Sequence, residues 1–166
     1  MPEVFEEVEL QQDTQKGRFL TFSLGKESYG IEICHVTEII GMQAITEMPE
    51  LPDYIKGIIN LRGKIIPVMD FRLLFKKEPL DYNDRTCIVV VEIENTSVGL
   101  IVDSISEVLA ISEENIVPPP KLSFEANRKY IKAIGTVSNL VILILDGNEL
   151  LNEFELNSLN SSLEAI

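Results

Sequence analysis

Apolar residues along this chain gather into runs of strand length, punctuated by Gly, Pro, Asn and Asp. Arg18–Leu24 and Glu27–Ile33 flank Gly25-Lys26, the pattern of a hairpin. In the first run Leu20, Phe22 and Leu24 alternate with Thr21 and Ser23, which predicts one apolar face. Lys56–Leu61 and Lys64–Met69 flank Arg62-Gly63, a second tight connection. Three further runs, Thr86–Ile93, Ser97–Val102 and Val137–Leu145, are richer in Val and Ile. The unbroken stretch Ile88-Val89-Val90-Val91 predicts a strand covered on both faces. A helical pattern is strong only near the end, where Leu150, Leu151, Phe154 and Leu163 form one apolar side. Asn148 is the expected N-cap there, with Glu149 at the positive end of the helix.

An internal repeat organises these runs. Gly30-Ile31-Glu32-Ile33 and Val36-Thr37-Glu38-Ile39 are echoed by Gly99-Leu100-Ile101-Val102 and Ile105-Ser106-Glu107-Val108, always 69 residues later. Pro49 and Pro118 keep that offset. Tyr54-Ile55-Lys56 and Tyr130-Ile131-Lys132, Met69-Asp70 and Leu145-Asp146, and Leu74 and Leu150 share an offset of 76. One insertion of seven residues around Lys121–Arg128 reconciles the two. The unit is too long and too few in number for a solenoid. Two small all-β subdomains of about five strands explain it, each too small to stand alone and therefore sharing an apolar interface. A crevice between them suits a partner helix.

Composition supports a folded, water-facing protein. Hydrophobic residues make up 45% of the 166, enough for a core. No apolar run reaches the roughly 20 residues of a membrane-spanning helix, so membrane insertion is not expected. The first residues are acidic where a secretory signal needs a positive start and an apolar stretch, which predicts a cytoplasmic protein. Ten of the 27 acidic residues lie in residues 1–13 and 146–166, leaving 17 against 14 basic ones between. Residues 1–17 read as a flexible acidic N-terminus, 18–151 as a domain of two intertwined β-barrel subdomains, and 152–166 as a C-terminal helix and tail. Without a basic stripe carrying interleaved aromatics, nucleic-acid binding is not expected.

Reactive chemistry finds little to work with. Cys34 and Cys87 lack CxxC spacing and His or Cys companions, so both are expected to be small buried or half-buried hydrophobes, with no metal site. His35 is the sole histidine; its neighbour Cys34 points to the opposite face if the stretch is a strand. No phosphate-binding glycine loop, metalloprotease motif or nucleophile elbow is present. Asp70 and Asp146 follow apolar strands, as a phosphoacceptor would, but their repeat-equivalent places before short helical segments make them caps. The expectation is no catalytic residue and no cofactor.

Tyr54-Ile55-Lys56-Gly57-Ile58-Ile59-Asn60-Leu61-Arg62-Gly63-Lys64-Ile65-Ile66-Pro67-Val68-Met69-Asp70 closely resembles the signature of the CheW family. Tyr29-Gly30-Ile31, Val36-Thr37-Glu38-Ile39 and Val98-Gly99-Leu100-Ile101-Val102-Asp103 resemble it too, so the similarity runs from about Arg18 to Leu151. The resemblance implies a mainly β fold of two five-stranded Src-homology-3-like barrels joined through an apolar interface, with a short C-terminal helix. It implies a chemotaxis adaptor coupling the cytoplasmic tips of methyl-accepting chemoreceptors to the regulatory domain of the histidine kinase CheA, at membrane-bound receptor arrays. A CheW-like module of a CheV-type or other two-component scaffold is the alternative. By similarity, Val36, Gly57, Gly99 and Val108 fall on regions linked to receptor binding, joined by the charged pair Glu38 and Arg62. Gly41 and Gly63 match positions linked to kinase contact, with the turn Met42–Ile45, where Gln43 is variable in kind. The residues alone allow plainer roles: turn geometry for Gly57 and Gly63, core for Val36, and a solvated turn for Arg62.

Overall fold

The computed structural model describes residues 16–120 and 129–152. The acidic N-terminus, the insertion around Lys121–Arg128, and the expected helical positions Phe154 and Leu163 lie outside the described residues. Strands dominate: β1 (Arg18–Leu24), β2 (Glu27–Glu32), β3 (Val36–Gly41), β4 (Ile55–Leu61), β5 (Lys64–Asp70), β6 (Cys87–Ile93), β7 (Thr96–Val102), β8 (Ser104–Ala110), β9 (Ile116–Val117), β10 (Ile131–Val137) and β11 (Leu140–Leu145). A one-turn helix, α1 (Phe71–Leu74), follows β5, and residues 147–152 are helical after β11.

The strands form two sheets, in the orders β8-β1-β2-β11-β10-β9 and β3-β6-β7-β5-β4. Matching each strand to its repeat partner turns one order into the other: β6 replaces β1, β7 replaces β2, β8 replaces β3, β10 replaces β4 and β11 replaces β5. The repeats have therefore exchanged strands. The five-stranded sheet takes three strands from the first repeat and two from the second, and the six-stranded sheet two from the first and four, counting the short β9, from the second. Both sheets curl closed in the same way. Thr46, just after β3, exchanges backbone hydrogen bonds of 2.9 and 3.0 Å with Ile58 on β4, the opposite edge. Likewise β9, just after β8, pairs with β10. The result is two barrels, here called the first (β1, β2, β8–β11) and the second (β3–β7), with edges tied off against stray pairing.

Three cores follow. Ile59, Ile66, Val68, Ile88, Val90 and Ile101 fill the second barrel. Phe19, Ile111, Ile142 and Ile144 fill the first. The largest lies between the barrels and draws on both, from Phe22, Tyr29 and Leu145 on one side to Val89, Val91 and Leu100 on the other. Strand β6 displays the logic: Ile88 and Val90 point into the second barrel, Val89 and Val91 into the shared core. The unbroken apolar run is thus covered on both faces, as its composition predicts.

Other expectations need correction. Val137–Leu145 is not one strand; Ser138 and Asn139, at φ 48° and 69°, form a tight turn between β10 and β11. The polar alternates of β1 do not all meet solvent. Thr21 is buried, its Oγ1 donating to the Glu107 carbonyl at 2.7 Å, because β8 wraps over it. Asn148 does not cap the last helix. Asp146 does, accepting from the amides of Asn148 and Glu149 at 3.0 and 3.2 Å. Asp70 caps α1 in the equivalent way, accepting from Arg72 and Leu73, so both aspartates are structural as the repeat predicts. Buried Asp70 also accepts from the Tyr82 hydroxyl at 2.9 Å, a bond that, after burial itself, pushes that phenol upward.

Candidate partner-binding surface

The charged pair forms at the mouth of the second barrel. Asn60, Arg62 and Gly63 build the β4–β5 connection: Arg62 and Gly63 take φ values of 53° and 88°, and the Gly63 amide donates to Asn60 Oδ1 at 2.8 Å. This turn throws the Arg62 side chain out of the hairpin. Its Nη2 donates to both carboxylate oxygens of Glu38, at 2.7 and 2.8 Å. In the sheet order, β6 and β7 lie between β3 and this hairpin, so the pair spans the open barrel end. A shallow cleft there is lined by Thr37, Glu38, Leu61, Arg62, Lys64 and Glu92. Arg62 is 72% exposed and Glu38 29%, so water screens the pair and its contribution to folding is about 0–1 kcal/mol.

The other singled-out residues divide into surface and scaffold. Val36 packs partly against the shared core, and Val108, on β8 of the first barrel, is 46% exposed. Val108 therefore sits on a different barrel from Glu38 and Arg62. Gly41 and Gly63 face open space. Met42 and Ile45 pack against the second barrel's core, so the turn is anchored by apolar side chains. Gly57 and Gly99 are buried. A Cβ on Gly57, at φ 144°, would sit 2.0 Å from the Thr46 carbonyl oxygen, so glycine is what lets the chain after β3 close the barrel. On Gly99 it would meet Val68 Cγ1 at 2.7 Å and Ile88 Cγ2 at 2.8 Å.

Two arrangements escape sequence reasoning. Asp103, where the chain crosses from β7 to β8, accepts from Arg72 Nε and Nη2 at 2.7 and 2.6 Å and from the Gly25 amide at 2.8 Å. It thereby ties the second barrel to the first barrel's β1–β2 hairpin. Burial acts to raise the Asp103 carboxyl, but the Arg72 and Gly25 hydrogen bonds hold it below its ordinary range. At the other crossing, from β2 to β3, the strand ends at Glu32 and Ile33–His35 form a 3-10 turn. The turn, which a strand reading of Cys34 and His35 misses, brings Cys34 and His35 together around Glu32. Cys34 is exposed, against the expectation of burial, while Cys87 is half-buried as expected.

Double barrels with exchanged strands, closed edges and a charged bridge over an open mouth define a β-rich double-barrel module. The CheW-like domain family matches residues 18–155, and the chain belongs to that family. It is 35% identical to the chemotaxis protein CheW of Klebsiella aerogenes over 87% of each chain. The crystal structure of the scaffolding protein TtCheW from Thermoanaerobacter tengcongensis superposes with a TM-score of 0.74 at 38% identity, over 78% of this chain and 88% of that one. The chemotaxis protein CheV3 of Helicobacter pylori is 32% identical over 78% of this chain but only 42% of its own length. Two β barrels with a shared apolar interface are therefore the fold that the repeat and the resemblance both predict. Among the described residues no helix is long and apolar enough to cross a membrane.

Proposed function

We propose that this chain is a chemotaxis adaptor that couples methyl-accepting chemoreceptors to the regulatory domain of the histidine kinase CheA, in the cytoplasm at receptor arrays, without performing a covalent step. Membership of the CheW-like family, together with likeness to the scaffolding protein TtCheW, supports the adaptor class. The observation that carries the coupling role is the Glu38–Arg62 bridge. It is well formed, spans a barrel mouth, and adds little to stability, so its use lies in positioning a recognition surface. Val36, Glu38 and Arg62 meet the receptor from the second barrel and Val108 from the first, with Gly57 and Gly99 shaping the second barrel beneath. Gly41, Gly63 and the Met42–Ile45 turn meet the kinase, the turn held at a fixed height by its apolar anchors. Receptor signals then pass as shifts in the populations of kinase states that the adaptor holds in place.

Co-sedimentation with a receptor tip fragment and the kinase tests this reading. The full chain should pellet with each partner and raise the amount of kinase in the receptor pellet. A folded chain that pellets with neither overturns the proposal.

A further inference from the structure

The two crossings between barrels occupy equivalent places in the repeat: Cys34 and Asp103 are 69 residues apart. At the second crossing Arg72 and Asp103 close the seam with an ion pair. The residues at the matching positions of the first, Cys34 and Asn148, are a thiol and an amide and form no such pair. What the first crossing holds instead is a set of ligand atoms. Glu32 Oε2 stands 3.7 Å from His35 Nε2 and 3.8 Å from Cys34 Sγ, and all three groups lie within 4.8 Å of one another.

The two separations from Glu32 come close to the edges of a metal polyhedron, and the third, from sulfur to imidazole, lies within 4.8 Å. With zinc bonds of about 2.0–2.3 Å, ligand atoms at the corners of a tetrahedron stand about 3.3–3.8 Å apart. The 3-10 turn supplies the convergence from residues only two and three positions beyond Glu32. Lys132 Nζ is bonded to the other oxygen, Glu32 Oε1, which orients the carboxylate and leaves Oε2 turned toward sulfur and imidazole. Cys34 is exposed and Glu32 and His35 are half-buried, so a cation has an open approach and a fourth position for water.

We propose that Glu32, Cys34 and His35 form a three-ligand site for a borderline-soft divalent cation of the zinc type. A thiolate, an imidazole and a carboxylate select such a cation over magnesium or calcium. Bound there, it would pin the β2–β3 crossing where Arg72 and Asp103 pin the β7–β8 crossing. The inference stands apart from the adaptor reading, because it needs no partner protein.

The test is equilibrium dialysis of the full chain against zinc, paired with absorbance of the chain loaded with cobalt. The wild-type chain should bind about one zinc and show a thiolate-to-cobalt charge-transfer band. Cys34→Ser should abolish the band and weaken zinc binding at least about tenfold, and His35→Gln should weaken it to a similar degree. Cys87→Ser should leave both unchanged. Circular dichroism of each variant checks that the fold survives, which the surface placement of Cys34 favours. Zinc bound with equal strength by the Cys34→Ser chain, or a cobalt-loaded chain without the band, overturns the proposal.

Discussion

Arg72 grips Asp103 with two hydrogen bonds, and through Asp103 the second barrel is tied to the β1–β2 hairpin of the first. Both side chains are mostly shielded, at 16% and 19% exposure, so this pair differs in kind from the solvent-screened Glu38–Arg62 bridge. Removing one partner leaves the other charge half-buried and unmatched. Arg72→Met should destabilise the fold by about 2 kcal/mol in urea unfolding, and a double-mutant cycle with Asp103→Asn should show coupling above about 0.5 kcal/mol.

Acid should loosen the same clasp. The unfolded chain's aspartate takes up its proton near pH 3.9 or so, while the Arg72 and Gly25 bonds hold folded Asp103 below that. A carboxyl depressed on folding contributes stability above the unfolded value, and loses it as pH falls through the folded one. Glu27 and Glu32 act in the same direction: burial raises each, but hydrogen bonds outweigh it, from Tyr29 and Lys77 to Glu27 and from Lys132 to Glu32. Urea midpoints should hold steady above about pH 5 and decline below about pH 4. Arg72→Met should flatten that decline.

Gly57 and Gly63 both hold positive φ angles, yet alanine should treat them differently. At Gly63 nothing lies within 4 Å of an added Cβ, so Gly63→Ala costs the backbone term alone, about 1 kcal/mol. At Gly57 the same methyl strikes the Thr46 carbonyl and pries open the barrel closure. Gly57→Ala should cost about 3 kcal/mol or more in urea unfolding.

Arg62→Ala should leave the thermal midpoint nearly unchanged, since the side chain is largely solvated. In receptor–kinase assemblies it should cut kinase activation several-fold. Full activation by a folded Arg62→Ala chain would count against the bridge as a coupling device. Val108→Asp, also at an exposed position, should act likewise through the first barrel.

Much of this architecture is legible in the residues, because period-two alternation and turn chemistry are local. The hairpins at Gly25-Lys26 and Arg62-Gly63 and the doubly covered β6 follow from short-range pattern, and the repeat from matching segments 69 and 76 residues apart. The Asp70 and Asp146 caps follow from the repeat. What hides is long-range. Nothing near Arg72 announces Asp103, 31 residues on, and nothing in β1 announces that β8 covers Thr21. Which strands the two intertwined barrels exchange is equally silent, since a duplicated sequence reads the same whether each repeat closes on itself or on its twin. Cys34 and His35 escape because a 3-10 turn interrupts the alternation that would separate them.

The exchange of strands makes the two repeats interdependent under cleavage. A nick in the exposed stretch between Leu80 and Asp84 would leave one piece with β1–β5 and another with β6–β11, and neither would own a whole barrel. Each fragment alone would be missing strands from both barrels, while together they rebuild all three cores. The molecule is thus a natural candidate for split-protein complementation, reporting the meeting of whatever is fused to its two halves.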